Sequence, residues 1–533
     1  MRKIPQLFFG AFLVVLTVKG QAQATLLKDI NPGSAASNPS GFTQLGDNIL
    51  FMASDDANGR ELWITDGTEA GTSLLKDIYP GTANSNIPLL YKIGETVYFY
   101  ASTLSGGGLW KTDGTAIGTV LVKSGFTSVT RFTEVNGTIF FEADINNNNF
   151  DELWKTDGTT AGTVQVKQMR PNSFYNSYTS NLIASPVSGE LLFTADNGTG
   201  MALWKSDGTT AGTFTLKYLY NTPQYLVRPL VELNGEVFFG AFNQSGVESL
   251  WKTNGTPVGT VVFKSPYRLP ATSGIKNIDN KLYFGGYEQY SDGYGEELWT
   301  SDGTLSGTYM IRDINDGSDN GSPYNFLKFQ GNIYFSASTV NEGREFWKTD
   351  GTFAGTELVY DFYPGGSSSY PLTYTNTGLD KIYIVANNGN DIMLYQSDGT
   401  SLGTSSVLDL SETNNVVQFS ITNLNEILIF SAETSAYGTE LWKLDTSTLS
   451  SANFDKQEMA VYPNPVSTEL NIKLSSSKNY LCQVINQLGQ TVFVCESDAL
   501  ETKLDVSTLA NGLYILVINS KDGKMYKQKL VKK

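Results

Sequence analysis

The chain has 533 residues, with 53 acidic against 37 basic side chains, a net charge of −16 and no histidine at all. The lack of imidazole removes the commonest general base, the commonest zinc ligand and every triad built on it. The acidic balance argues against nucleic acid or an anionic membrane as partner. With 52 Gly, 28 Tyr and 29 Phe but only 17% charged residues, the composition is that of a strand-rich globular protein.

At the N-terminus, Arg2 and Lys3 precede an apolar run from Leu7 to Val18, followed by small and polar residues ending in Ala22, Gln23 and Ala24. This is the pattern of a secretory signal peptide cleaved after Ala24, and the run is too short for a membrane anchor. Residues 1–24 are therefore expected to be removed, and no segment of the mature chain is apolar enough to span a bilayer. The mature chain holds 34 basic and 53 acidic side chains. Residues 455–533 contribute ten lysines and eight acids, so the negative charge belongs to the segment before them.

From residue 25 to 445 one phrase recurs, ELWxTDGTxxGT, at a spacing of 44 to 50 residues. All eight tryptophans fill the same slot in it: Trp63, Trp110, Trp154, Trp204, Trp251, Trp299, Trp347 and Trp442, with Tyr395 taking the slot once. A period of this length marks stacked supersecondary units that bury their apolar faces only against one another. Each copy predicts four strands; in the first complete one they are Phe42 to Leu45, Ile49 to Ala53, Glu61 to Thr65 and Leu74 to Ile78. The first two meet at a glycine or asparagine turn, and the third and fourth at the DGT turn, where an Asp side chain accepts from the turn amides and Gly takes positive φ. Asp66, Asp113, Asp157, Asp207, Asp302, Asp350 and Asp398 fill the acidic slot, with Asn254 as its amide replacement. Because Asn keeps the turn bonding and loses the charge, the slot reads as turn structure rather than as a metal or catalytic site, and the tryptophans read as packing between sheets.

The fourth-strand phrase TLLKDI stands at Thr25 to Ile30, before any tryptophan, while the last tryptophan phrase, Glu440 to Asp445, has no fourth strand after it. The N-terminal strand fits that vacancy. The expectation is an all-β, closed β-propeller of four-stranded blades, nine in number or alternatively eight, in which no sheet edge is left over at the closure. Antiparallel four-stranded blades place the uniform turns at one end and the variable loops at the other. Binding is expected at the variable end, where Tyr175, Tyr178, Tyr220, Tyr225, Tyr287, Tyr290 and Tyr294 supply amphipathic rings. Asp144, Asn146 and Asn148 have a calcium-like oxygen spacing but lack the glycine and distal glutamate of a helix-loop-helix site. No metal, cofactor or catalytic residue is assigned.

A linker at 446–458 leads to a lysine-rich module at 459–533 that reads VYPNPVSTELNIKL, VINQLGQTV, LDVSTLANGLYILVIN and KMYKQKLVKK. Tyr462, Pro463, Asn464, Pro465, Gly489, Gly512 and Tyr514 carry its resemblance to the C-terminal sorting domain of the type IX secretion system. That resemblance implies passage through the periplasm to the outer surface or the medium, with the secretion machinery as partner. Read from its alternation alone, the module is a small β-sandwich. A hairpin turning at Leu488 and Gly489 would set Cys482, Cys495 and their strands opposite each other, so that a disulfide between these only two cysteines is an open alternative. Residues 25–445 in turn resemble the ELWxxDGT repeats of bacterial surface proteins, departing from them where Glu is missing at Gly108, Ala202, Ser249 and Met393. Two functional readings follow. The first is a non-catalytic exported propeller that binds polysaccharide or a surface protein. The second is a carboxylate-dependent glycoside hydrolase or lyase, for which Asp292, Glu296 and Asp316 are candidate acids.

Overall fold

The computed structural model describes residues 24–145, 152–170, 177–220, 227–265, 267–269, 274–288, 293–375, 381–410, 421–446, 459–474, 480–486, 491–520 and 525–533. All named elements among them are β-strands. The chain divides into two compact units, Ala24–Leu444 and a second that includes Asp445–Lys533.

Among the described residues, the larger unit contains nine four-stranded antiparallel sheets. The Trp63 sheet sets the pattern with strands Ser40–Leu45, Asn48–Asp55, Gly59–Thr65 and Ser73–Lys76, hydrogen-bonded in chain order. Seven more follow it in sequence, identified below by their tryptophan or, in one case, Tyr395. The ninth is composite: Ile421–Leu424, Ile427–Thr434 and Gly438–Asp445 are completed by Thr25–Lys28, with Thr25 opposite Lys443 and Leu26 opposite Trp442.

Alternation on the second and third strands explains the packing. Phe51 lies directly opposite Trp63, and the same pairing joins Phe99 to Trp110, Phe141 to Trp154, Phe193 to Trp204, Phe239 to Trp251, Phe284 to Trp299 and Phe335 to Trp347. Seven of the tryptophans and Tyr395 are buried, whereas Trp442 is half-buried. Each pair enters a cluster shared with the neighbouring sheet; Ile49, Phe51 and Trp63, for example, pack with Leu27, Leu424, Ile429 and Leu441 of the composite sheet. Such clusters link the composite sheet to the Trp63 sheet and then each sheet to the next as far as Tyr395. Large aromatics are suited to this role because each removes much apolar area from water at little conformational cost.

The uniform turns are built from one repeated set of bonds. In the first copy, Asp66 Oδ1 accepts from the Thr68 amide at 2.8 Å and from its hydroxyl at 2.7 Å, Thr65 and Thr72 hydroxyls pair at 2.7 Å, and Gly67 takes φ +85°. The second glycine has a separate reason: a Cβ at Gly71 would lie 2.1 Å from Asp66 Oδ1, and the same collision recurs between Gly118 and Asp113. The Lys or Arg ending a fourth strand then reaches the next sheet's turn. Lys76 donates to the Ala116 carbonyl at 3.4 Å, Lys123 to Thr163 at 2.9 Å, and Arg312 to Thr356.

The smaller unit has a three-stranded sheet (Met459–Tyr462, Glu469–Leu474, Glu501–Asp505) and a four-stranded one (Thr491–Ser497, Tyr480–Ile485, Gly512–Ser520, Met525–Lys532). Both contribute to one core that includes Val466, Leu470, Ile472, Cys482, Val484, Leu504, Leu516, Ile518 and Leu530. The Tyr514 hydroxyl donates to the Ala510 carbonyl at 2.9 Å, Asn464 Oδ1 accepts from the Val531 amide at 2.9 Å, and the exposed Tyr462 donates to Glu501 at 3.0 Å. Gly489 falls outside the described residues.

The collision at the second turn glycine gives a double-mutant test. Gly118→Ala is expected to cost about 1–3 kcal/mol in urea unfolding, the range for overpacking. Asp113→Asn is expected to stay within about 0.5 kcal/mol of the parent, as Asn254 occupies that slot naturally. Asp113→Ala should cost less in the Gly118→Ala background than alone; strict additivity would show that the carboxylate is not what excludes the methyl group.

Candidate functional site

The glutamate of the repeat phrase organises the variable-loop end. Glu61, Glu297, Glu345 and Glu440 are fully buried and Glu152 nearly so. Each carboxylate accepts an amide from the crossover that leaves its own sheet: Glu61 from Ile78 at 2.8 Å, Glu152 from Met169 at 2.8 Å, Glu297 from Ile314 at 2.7 Å and Glu345 from Phe362 at 2.8 Å, always 17 residues on. In the composite sheet Glu440 takes the Ile30 amide at 2.9 Å instead. Glu297 and Glu345 also accept the amides of Gly321 and Ser369, 24 residues on. A crossover that turns off a sheet edge strands its backbone donors, and a buried orphan amide is costly; the glutamate receives them.

The consequence is visible in strand length. Where Glu is present, fourth-strand pairing stops at the Lys, Arg or Tyr opposite the residue before the tryptophan: Leu62 with Lys76, Leu153 with Lys167, Leu298 with Arg312, Phe346 with Tyr360. The fourth strand of the first repeat therefore ends at Lys76, two residues short of the expected Ile78, because the Ile78 amide belongs to Glu61. Where Glu is missing, the ladder runs on: Gly108 pairs with Ser124, Met393 with Asp409 and Ala202 with Tyr218. Ser249 departs from this, its hydroxyl bonding that of Ser265 at 2.8 Å.

The longest extension makes the site. In the Trp204 sheet the fourth strand runs from Phe214 to Tyr220, seven residues against four or five in the other sheets, with Tyr220 paired to Met201. It carries Tyr218, Leu219 and Tyr220 to the variable end, where with Thr199 and Gln244 they line a cleft of about 370 Å³. Thr199 lies in the second-to-third-strand turn of the same sheet and Gln244 in that of the Trp251 sheet. Both turns are held by side chains. Asp196 accepts from the Gly198 and Gly200 amides at 2.7 and 3.1 Å and is paired with Arg170 at 2.8 Å. Asn243 accepts from the Ser245 and Val247 amides at 2.9 and 3.1 Å. The tyrosines are held as well: the Tyr220 ring lies 5.7 Å from that of Phe242, and Asn197 donates to the Tyr218 hydroxyl at 3.1 Å while Tyr218 stays 46% exposed. Among the described residues the lining thus offers two rings and neutral hydrogen-bonding groups, with no carboxylate.

Of the seven tyrosines expected to bind, Tyr220 lines this cleft. Tyr178 and Tyr294 are exposed without lining it, and Tyr175, Tyr225 and Tyr290 fall outside the described residues. Tyr287 belongs to a charged group one sheet further on, its hydroxyl accepting from Arg268 at 2.8 Å. There the buried Glu248 lies 3.2 Å from Arg268 and 3.7 Å from Arg228; burial pushes its carboxyl above the usual range and the two arginines pull it back only in part. Gly240 makes room for Arg228, since a Cβ there would come within 2.9 Å of that side chain. Tyr218, Thr199 and Gln244 were missed by inspection of tyrosine-rich loops; the available signal was the vacant Glu slot at Ala202.

Neither of the two described candidate acids, Glu296 and Asp316, lines the cleft. Glu296 is buried, with its amide donating to Asn320 and its carboxylate accepting from Ser322, and Asp316 is exposed elsewhere; Asp292 falls outside the described residues. Asp144 is buried, and Asn146 and Asn148 lie outside the described residues.

Residues 460–533 match the model of the secretion system C-terminal sorting domain. The chain carries a type IX sorting domain. That domain indicates export across the outer membrane to the cell surface or extracellular space, and implies contact with the secretion machinery. Among curated proteins the chain is similar to ulvan lyase NLR42 of Nonlabens ulvanivorans, 29% identical over 123 residues, a stretch that spans only 22% of either protein. Among solved structures it is similar to PorZ, a surface component of the type IX secretion system of Porphyromonas gingivalis (12% identity, TM-score 0.34, 92% of this chain and 75% of that one). Oligopeptidase B of Leishmania major aligns at 8% identity and TM-score 0.41, over 92% of this chain and 54% of its own.

Two tests follow from the glutamate slot. Glu345→Leu leaves the Phe362 amide without its acceptor and the Ser369 amide and hydroxyl with the Arg344 carbonyl alone, and should cost about 2–3 kcal/mol, measured by urea unfolding. The second concerns pH. Burial raises Glu61 and Glu345 to about 7 and Glu297 to about 8, against 4.5 for a free carboxyl. The folded state therefore holds protons that the unfolded chain releases, so this contribution is complete below about pH 4.5 and is lost as pH rises through 7 to 8. The triple variant E61Q/E297Q/E345Q, which fixes the neutral form, should show a flatter thermal-stability profile between about pH 5 and 8 than the parent; parallel profiles would refute the assignment.

Proposed function

We propose that the exported protein is a closed propeller of nine four-stranded blades that binds polysaccharide at its variable-loop end without cleaving it. A leader at 1–24 takes it across the inner membrane, and the sorting domain takes it across the outer one. Nine sheets of one pattern, and the completion of the last by the strand Thr25–Lys28, support nine blades over eight. The observation that carries the binding reading is the lining of the cleft: two tyrosine faces beside neutral donors and acceptors, in a depression sized for part of a glycan. Its turns are braced by Asp196 and Asn243, so that little ordering remains to be done on binding. The lining residues described, Thr199, Tyr218, Leu219, Tyr220 and Gln244, favour binding over the carboxylate-dependent reading.

Mature protein is expected to be retarded in affinity electrophoresis through at least one neutral polysaccharide, with Tyr218→Ala and Tyr220→Ala each weakening the interaction about tenfold. Unchanged retardation in the double variant would remove the cleft from consideration, and retention of a surface protein in place of glycan would redirect the reading. Deleting residues 459–533 should leave the chain in the periplasm, as judged by cell fractionation; full export of the deletion variant would contradict the role of that segment.

A further inference from the structure

The two cysteines of the chain occur together in the sorting domain. Tyr480–Ile485 and Thr491–Ser497 pair antiparallel with Cys482 directly opposite Cys495, flanked by Leu481 opposite Glu496 and Gln483 opposite Val494. Both side chains turn to the core: Cys482 is fully buried within it and Cys495 packs against it. In the present structure both are free thiols.

The strand Thr491–Ser497 is the one that needs holding. It is an edge strand, bonded on one side only. Its inward residues Phe493 and Cys495 are only partly covered, while Val492 and Val494 are 41% and 54% exposed. A short edge strand with exposed valines is prone to fray and to pair with other chains. By contrast, Tyr480–Ile485 is bonded on both sides and buries Tyr480, Cys482 and Val484.

We propose that Cys482 and Cys495 become a cross-strand disulfide during passage through the periplasm, covalently fastening the edge strand of the sorting domain to its interior neighbour. The oxidant is a protein disulfide of the exporting compartment. The Cys495 thiolate attacks one sulfur of that disulfide, giving a mixed disulfide and releasing one thiolate of the oxidant. The Cys482 thiolate then attacks Cys495 Sγ and releases the second. Two protein thiols become one disulfide and one oxidant disulfide becomes two thiols, the two protons passing to solvent or to the released thiolates. Cys495 lies on the edge strand, which is bonded on one side only, so it stays reachable longest as the hairpin closes and makes the first attack. Burial pushes the Cys482 thiol up and Cys495 also lies above its usual range, so the folded hairpin is a poor substrate in either direction. The bond therefore forms before the core closes over the hairpin and resists reduction afterwards.

The test uses the full chain purified from an oxidising periplasm without added thiol. It is denatured in excess N-ethylmaleimide and its tryptic peptides are analysed by mass, with and without prior reduction. The expected result is a linked peptide pair containing residues 482 and 495 and no adduct at either before reduction. Adducts at both cysteines without reduction, or a disulfide between two chains, would overturn the proposal. Hydrogen exchange supplies a readout independent of the chemistry. Amides of residues 491–497 should exchange about tenfold faster or more in Cys495→Ser than in the parent, while those of 512–518 stay unchanged. Equal protection of 491–497 in both would show that the bond, even if present, does not fasten the strand. Because Cys495 is the less buried partner, this variant retains the Cys482 side chain in the core.

Discussion

The larger unit depends on where the backbone donors of its crossovers go. A sheet ladder satisfies amides only while two strands run side by side, and each sheet must hand the chain to the next across a buried junction. The repeat answers with a carboxylate placed two residues before the tryptophan, buried beside it and accepting amides 17 and, in places, 24 residues later. Those bonds stop the fourth strand and fix the crossover that begins the next sheet. The carboxyl is held well above its ordinary range by burial, and the amide bonds it accepts offset that desolvation only in part.

This arrangement turns absence into a source of variety. With Ala at position 202 no carboxylate meets the Leu219 amide, and the strand continues pairing until Tyr220 lies opposite Met201. The extra residues carry two tyrosines past the end of the ordinary ladder into a cleft with the neighbouring sheet's turn. Vacancies at Gly108 and Met393 lengthen the strand by less and bring no comparable pair of rings. At Gly108 and Ala202 the loss of the glutamate leaves the core in place, because the Phe99–Trp110 and Phe193–Trp204 pairs and the Asp113 and Asp207 turns are unaffected. The opposite end of the sheets shows why its DGT-type turns are uniform: each closes on a pair of its own hydroxyls, Thr with Thr or Ser with Thr, and a Cβ on the second glycine would meet the turn's Asp or Asn side chain.

Much of this was legible in the residues. The period placed the sheets, alternation placed Phe51 opposite Trp63, and counting strand types led to the partner of Thr25–Lys28 in the last sheet. The numbers of Cys482 and Cys495 foretold their register. The site was much less legible. Of the four described tyrosines among the seven that the loops offered, Tyr220 lines the cleft, because loop composition says that rings are near the surface and nothing about which of them converge. The role of the phrase's glutamate is not legible locally, since its partners lie 17 to 24 residues away and no local pattern reveals a bond of that span.

By itself the sequence determined the repeat, the strand order, the turn chemistry and the sorting domain, all of which rest on short-range rules of alternation, hairpin geometry and glycine conformation. Tertiary structure alone decided which glutamates are buried acceptors, where a missing one lets a strand run on, and which side chains of two separate repeats share a cleft. Those outcomes follow from satisfying buried donors across a sheet-to-sheet junction, a balance struck between residues that are distant in the chain and adjacent only once it has folded.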